Sequence, residues 1–479
     1  LGARGAPVRR AVTTAAVPRR RLGWLLLAVA VTTVLAAAPG AGVRATFGAH
    51  TTADEPHYLL TALSLWEDGD LDVADELADE RYRPFHEIRL SDQAAPAADG
   101  RRVAPHDPLL PLLLAAPMGL GGWVAAKLAL ALLAGALAAA TVWLAVRRFD
   151  VRPGVATVTV GLLAASVPLA PYGTQVYPEV PAALATVLAV AAATGPARPR
   201  TAVGLVLAVT ALPWLAVKYV PVAATVAVIG LWRWWRAGAR PLVLAAVAGF
   251  LLSGLAYVVG HLAWYGGLTV YAAGDFFQEH GGQLTVVGTA PDYLGRARRL
   301  VGLLVDDEFG VAAWQPAWLL LAPAIGAILR RADARAALLA PLVAGWLTAT
   351  FLALTMQGWW FPGRQIVVVL PLAAVAIADL AQRSRPWLAT TVAAGAVGVV
   401  SYAFLVVEGL RGQLRWVIDF ATTANPWYRV VRHVLPDYLD VTWRTWALQT
   451  VWIVVLAGAA VAAWRSTQTG RSVSGAGSS

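Results

Sequence analysis

Two adjacent carboxylates, Asp54 and Glu55, stand in the run Thr51-Thr52-Ala53-Asp54-Glu55-Pro56-His57-Tyr58, shortly after the first apolar block of the chain. Neighbouring residues on a helix or strand point in different directions, so the two acids are expected to have different jobs. A carboxylate at a membrane interface, partly shielded from water, can have a raised pKa and act as a general base. The alternative is that Asp54 caps the next helix, with Glu55 in its acidic first turn and Pro56 as a start signal. Lys218, in Pro213-Trp214-Leu215-Ala216-Val217-Lys218, interrupts an apolar region. A charge inside a bilayer costs about 2.5–3.5 kcal/mol even on a lenient scale, which marks it as an anion-binding candidate, with a lipid phosphate as the anion at that depth. Snorkelling to the outer interface is its alternative. Arg364, in Phe361-Pro362-Gly363-Arg364-Gln365, could serve the same phosphate or anchor a span at the interface. His106, in Val103-Ala104-Pro105-His106-Asp107-Pro108, could contact acceptor or phosphate, or serve as a structural hydrogen-bonder. Tyr177-Pro178-Glu179 brings a further carboxylate to an outer loop. Asp275, Glu279 and His280 could form a metal or lid element, and Asp306-Asp307-Glu308 precede a span that they could cap.

These residues hang on an apolar scaffold. Of 479 residues, 58% are hydrophobic and 14% charged, and the mean hydropathy is +0.61. A soluble chain carries roughly 25% charged residues. The apolar residues come in long blocks, which excludes a soluble enzyme and a disordered chain and predicts an all-α, polytopic membrane protein. The net charge of +10 is no nucleic-acid signal, because 36 of the 38 basic residues are Arg, mostly clustered between apolar blocks. That pattern is the positive-inside bias of cytoplasmic loops. Arg over Lys, beside abundant Ala, Gly and Val, fits a GC-rich bacterial genome. With no cysteine, disulfides and Cys-ligated metals are excluded.

Spans are predicted near 22–38, 122–146, 152–171, 178–195, 241–262, 314–330, 336–355, 364–382, 387–407 and 445–464. Residues 201–231 are read as a pair of short helices joined inside the membrane, tolerated where they line a polar cavity. The block 22–38 could be a cleaved signal peptide and is read here as a retained anchor. This threading has twelve membrane segments, with both termini cytoplasmic in a plasma membrane. It divides the chain into a cytoplasmic segment 1–21, a membrane domain 22–465 and a disordered cytoplasmic tail 466–479. External loops are expected at 41–107, 263–313 and 408–444. All acids but Asp150, Asp333 and Asp379 then lie outside, fourteen of them within 41–107.

Taken in order, Asp54-Glu55, His106-Asp107-Pro108-Leu109-Leu110-Pro111, Trp214 to Lys218, Asp306 to Gly310 and Pro362-Gly363-Arg364 resemble the GT-C membrane glycosyltransferases. The likeness is nearest to bacterial members of the dolichyl-phosphate-mannose protein mannosyltransferase and aminoarabinose transferase family. The resemblance implies a hexosyl- or pentosyltransferase that moves a sugar from a polyprenyl-phosphate donor to an acceptor on the outer face, with inversion. It implies Asp54 and Glu55 as catalytic residues, with Asp54 the base, and Lys218, Arg364 and His106 on the donor phosphate. His57, Tyr58, Tyr177 and Glu179 are expected to position the acceptor. Some relatives use a divalent metal near the acidic pair, so Mg or Mn at Asp54 is the one cofactor left open. Expected partners are the polyprenyl-phosphate-linked sugar, a lipid, glycan or protein acceptor, and membrane lipids, with no nucleic acid. The residues 408–444 stand where some relatives carry a large soluble domain. Three rivals are a lipid-linked oligosaccharide polymerase or ligase, a transporter or flippase, and a non-catalytic membrane subunit that retains the fold. The first would carry its key residues in a large late loop. The second would show an internal repeat and several intramembrane charges, and only Lys218 is counted as one.

Overall fold

The structure, a computed structural model of the chain, describes residues 18–94, 100–274, 292–329 and 332–472. Nearly all regular structure is helical, and among the described residues β-pairing is confined to isolated bridges. The first ten helices are α1 (Arg19–Ala37), α2 (Glu55–Glu67), α3 (Ala74–Ala78), α4 (Leu109–Arg148), α5 (Pro153–Ala164), α6 (Leu169–Tyr172), α7 (Glu179–Ala193), α8 (Pro199–Leu215), α9 (Val220–Arg236) and α10 (Arg240–Tyr265). Among the described residues, five helical stretches are long and apolar enough to cross a bilayer: Arg19–Gly42, Leu109–Arg148, Arg240–Ala273, Arg385–Leu410 and Trp443–Ser466. The protein is an all-α, multi-pass membrane protein.

The long helices carry the outer surface. On α10, Leu244, Leu251, Leu252 and Leu255 are all exposed. A helix apolar on every side with its leucines uncovered is suited to lipid. Shorter helices fill the middle. Every residue of the helix Leu370–Ala381 is buried, against α4, α5 and the helices Leu321–Ile328 and Arg385–Leu410. Twelve residues rise about 18 Å, well short of a hydrocarbon core of roughly 30 Å. Expected spans at 152–171, 178–195, 314–330, 336–355 and 364–382 accordingly hold shorter α-helices than their apolar blocks suggest. Hydropathy alone cannot distinguish apolar residues that face lipid from those that face other helices.

Two breaks position the site. The Leu/Pro-rich stretch 109–119 is continuous with the expected span 122–146 in α4 across a kink at Gly122. The φ of 66° and ψ of −166° there are open essentially to glycine alone. Between α8 and α9 the chain is extended at Ala216 and makes one 3-10 turn, Val217–Tyr219, so Lys218 lies in the break between two 17-residue arms. The last helix, Trp443–Ser472, continues into the segment expected to be a disordered tail.

The stretches 41–107, 263–313 and 408–444 meet at one end of the bundle. Ala94 bridges to Gly274, the Tyr265 hydroxyl donates to the His106 carbonyl (2.7 Å), Trp416 N donates to Arg44 O (3.0 Å), and Asp307 N donates to Pro436 O (3.0 Å). Asp306 acts as a cap, accepting from the backbone of Glu308, Phe309 and Tyr438.

Where the helix Leu321–Ile328 meets the helix Trp443–Ser472, a Cβ on Gly326 would clash with the Ala460 carbonyl oxygen. Gly326→Val is therefore expected to cost about 1–3 kcal/mol by overpacking and to lower the melting temperature in a fixed detergent. An unchanged melt would mean that the two helices part freely.

Candidate active site

Arg364 is the centre of the site. It follows Gly363, whose φ of +86° is left-handed and whose missing side chain admits Pro168 and Val311; a Cβ there would meet them at 2.9 and 2.8 Å. This turn drives the guanidinium into the bundle, where it lies 3.9 Å above the Tyr177 ring and 4.9 Å from that of Trp360. Its Nη2 donates to Asp54 Oδ2 at 2.6 Å and its Nε to Glu179 Oε1 at 3.1 Å. The same Glu179 oxygen accepts from Lys218 Nζ at 2.8 Å. Two cations and two carboxylates thus form one connected group. Asp54 occupies the N-cap position of α2, yet its side chain makes no capping bond and reaches Arg364 instead.

The group opens onto a cavity of about 460 Å³. Asp54, Tyr58, His106, Asp107, Lys218 and Arg364 are among the polar residues that line it, and Val222, Ala349, Leu352, Leu354 and Val368 among the apolar ones. His106 is stacked on Tyr58 with centroids 4.4 Å apart, and its Nε2 lies 3.1 Å from Gln93 Oε1. The Tyr177 hydroxyl donates to Thr52 O (3.2 Å), fixing the loop that presents Asp54. Glu179 sits behind the cavity wall at the start of α7, holding both cations.

Burial works to raise the Asp54 pKa, but the adjacent Arg364 guanidinium, helped by His106 and Lys218, outweighs it and holds the carboxyl below the usual carboxylate range. Asp54 is thus ionised and paired, which makes it a weak base in this state. Burial lowers His57 to about 3 and His106 to about 4.

Other expected residues face elsewhere. Glu55 turns away from the cavity, and its Oε2 lies 3.9 Å from Lys127 Nζ in a compartment with His50, Thr174 and Gln175. Lys127 also donates to the His50 carbonyl at 2.6 Å. Burial raises the Glu55 pKa, and Lys127 opposes that shift. His57 is buried with Nε2 3.1 Å from Ser91 O, behind Tyr58. Asp275, Glu279 and His280 lie outside the described residues.

A divalent metal at Asp54 fits the donors poorly. Arg364 occupies the carboxylate and Glu55 points away, and among the described residues no trio of His, Asp or Glu ligand atoms gathers around Asp54.

Two groups escaped the sequence reading. Lys127 is a second lysine in the apolar scaffold, buried in α4 and only 3% exposed, which corrects the count that admitted Lys218 alone. Asp107 accepts from Val217 N (3.1 Å) at the break of the hairpin and from the Tyr257 hydroxyl (3.1 Å), and its Oδ1 lies 2.9 Å from His261 Nε2. It thereby fixes the turn that carries Lys218. Polar residues at 257 and 261, four apart in an apolar helix, were the available signal.

No family model matches the chain, and no curated protein matches it. Among solved structures, the crystal structure of ArnT from Cupriavidus metallidurans bound to undecaprenyl phosphate is similar, at 15% identity and a TM-score of 0.45, over 93% of this chain and 72% of that one.

Removing Lys127 alone leaves Glu55 buried without its cation. Lys127→Met is expected to cost about 3–5 kcal/mol, and Glu55→Gln/Lys127→Met to recover a large part of it, when melts of the three proteins are compared. A double variant no more stable than Lys127→Met would deny the pairing.

Proposed function

We propose that the protein is a membrane glycosyltransferase. It moves a sugar from a polyprenyl-phosphate donor to an acceptor hydroxyl on the outer face of the membrane, with inversion. The observation that carries this reading is that Asp54, Arg364 and Lys218 line one cavity together with apolar side chains inside a membrane bundle. Fixed cations beside an apolar surface suit an anionic headgroup on a hydrocarbon chain. ArnT was crystallised with a ligand of this class; the assignment here stands on the charges of this chain.

Asp54 removes the acceptor proton as the acceptor oxygen bonds to the anomeric carbon from the face opposite the phosphate. The bond between that carbon and the phosphate oxygen breaks, and polyprenyl phosphate leaves with the electron pair. Arg364 and Lys218 stabilise the charge that develops on it. Glu179 holds both cations in place, and His106 and Tyr58 shape the acceptor side. No step needs a metal.

Donor phosphate competes with Asp54 for Arg364. In the free enzyme Arg364 holds the Asp54 pKa low; with phosphate bound, the guanidinium is shared and the carboxyl becomes a better base. The acid limb of kcat, which reports the complex, is therefore expected at higher pH than that of kcat/KM, which reports the free enzyme. Because burial lowers His106 to about 4, donor KM is expected to stay level from pH 8 to pH 5. A drop in KM centred near pH 6.5 would assign a charged imidazole to the phosphate.

The direct test uses purified protein in lipid, a panel of labelled polyprenyl-phosphate sugars and an envelope extract as acceptor, read as release of polyprenyl phosphate. Asp54→Asn is expected to lose about 10²–10⁴-fold in kcat while still binding donor. Arg364→Lys, which gives up the planar fork, is expected to weaken both binding and turnover. Equal turnover by wild type and Asp54→Asn would remove the base, and no turnover with any donor would remove the class.

A further inference from the structure

We infer that the end of the bundle away from the cavity holds a binding site for an anionic phospholipid, built from Arg148, Arg233, Arg236 and Arg240. The helices that meet at the cavity run to this end. α7 starts at Glu179 and ends at Ala193, α9 leads from the Lys218 turn to Arg236, and α10 reaches Tyr265 from Arg240. The 26 residues of α10 rise about 39 Å, enough to cross a hydrocarbon core of roughly 30 Å. The four arginines therefore stand at the opposite membrane surface from Asp54, and this inference does not depend on the sugar-transfer reading.

Charge is the first observation. Arg148, at the end of α4, donates from Nε to the Ala191 carbonyl at 3.2 Å, and a Cβ on Gly195 would meet its Nη2 at 2.9 Å. Arg233 comes to the same place on α9: Gly230, one turn earlier, lies against Ala193, and the charges of Arg148 and Arg233 repel. Arg233 Nε is buried and has no hydrogen-bond partner. Among the described residues, no carboxylate forms an ion pair with any of the four arginines, and Asp150, the acid that follows α4, is exposed. Elsewhere in the bundle sunken cations are met by acids, as Arg364 is by Asp54 and Arg383 by Asp379. A partly buried charge without a counter-ion is costly, and here an anion from outside the chain supplies it.

The surroundings say which anion. Arg236 lies over the Trp232 ring at 5.4 Å and Arg240 over the Trp235 ring at 5.3 Å, and both rings are more than half exposed. Indoles of this kind favour the headgroup layer. Stacking through the guanidinium face leaves its N–H edge to donate to phosphate oxygens. One or two turns in from this end of their helices, Val203 and Leu207 on α8, Val228 on α9 and Leu244 on α10 are exposed. A phosphodiester that carries acyl chains uses both the donors and these bare aliphatic side chains, whereas a free anion gains nothing from the second. Basic groups between helix ends at a membrane surface hold anionic headgroups in this way.

The test uses the full chain, delipidated in a nonionic detergent. Binding of dioleoylphosphatidylglycerol or dioleoylphosphatidylcholine is counted by native mass spectrometry, and melts are recorded with each. Phosphatidylglycerol is expected to bind at least about tenfold more tightly and to raise the melting temperature, both effects shrinking at high salt. Inorganic phosphate at the same concentration is expected to leave the melt unchanged. At about fivefold per arginine, Arg233→Gln is expected to weaken phosphatidylglycerol binding about fivefold and Arg236→Gln/Arg240→Gln about 25-fold. Arg20→Gln/Arg21→Gln, which removes two exposed arginines at the start of α1, is expected to keep it. Should Arg233→Gln fail to fold, the exposed double variant decides alone. The site is overturned by equal binding of the two lipids, by an equal melting shift with inorganic phosphate, by undiminished binding in Arg236→Gln/Arg240→Gln, or by an equal loss in Arg20→Gln/Arg21→Gln.

Discussion

A guanidinium buried in a membrane bundle must be met by carboxylates, and this requirement organises the protein. Arg364 is 8% exposed and finds its partners at Asp54 and Glu179, which lie 310 and 185 positions away in the chain. Neither pairing can form until α2, α7 and the turn after Pro362 are assembled. Breaking one such pair costs far more than the intact pair contributes, because the abandoned charge stays in a poor solvent. The aromatic rings of Tyr177 and Trp360 hold the guanidinium plane, and the Tyr177 hydroxyl holds the loop that brings the acid to it.

The four central charges balance, two against two. A neutral group of this kind is stable without substrate, yet it has no cation free of a carboxylate. In the proposed reaction an entering phosphate shares a cation that an acid already holds. In that proposed reaction the proton taken up by Asp54 cancels one of the two negative charges, just as the departing phosphate gains one. The charge facing the phosphate thus becomes more positive when it is most needed.

The fold class was legible because apolar blocks and arginine clusters report the bilayer directly. Lys218 stood out as a charge in a place where charge is costly, Asp54 by its position after the first apolar block and Arg364 as a cation at the start of a span, and the three line one cavity. What stayed hidden depended on direction and depth. Nothing in the pair Asp54-Glu55 says which acid faces the cavity; the start of α2 decides it by turning Glu55 toward Lys127. Lys127 was missed because one lysine in a long apolar block resembles a tolerated exception until its partner is seen. The short helix Leu370–Ala381 was read as a full span because wholly buried and lipid-facing residues have the same composition.

Asp107 joins the Lys218 turn to α10, whose leucines lie on the outer surface. Helices of that kind tilt to match the thickness of the surrounding bilayer. Tilt of α10 moves Tyr257 and His261, and through them the carboxylate that fixes the hairpin break. The lipid composition around the protein is therefore mechanically connected to the position of a charge that lines the cavity.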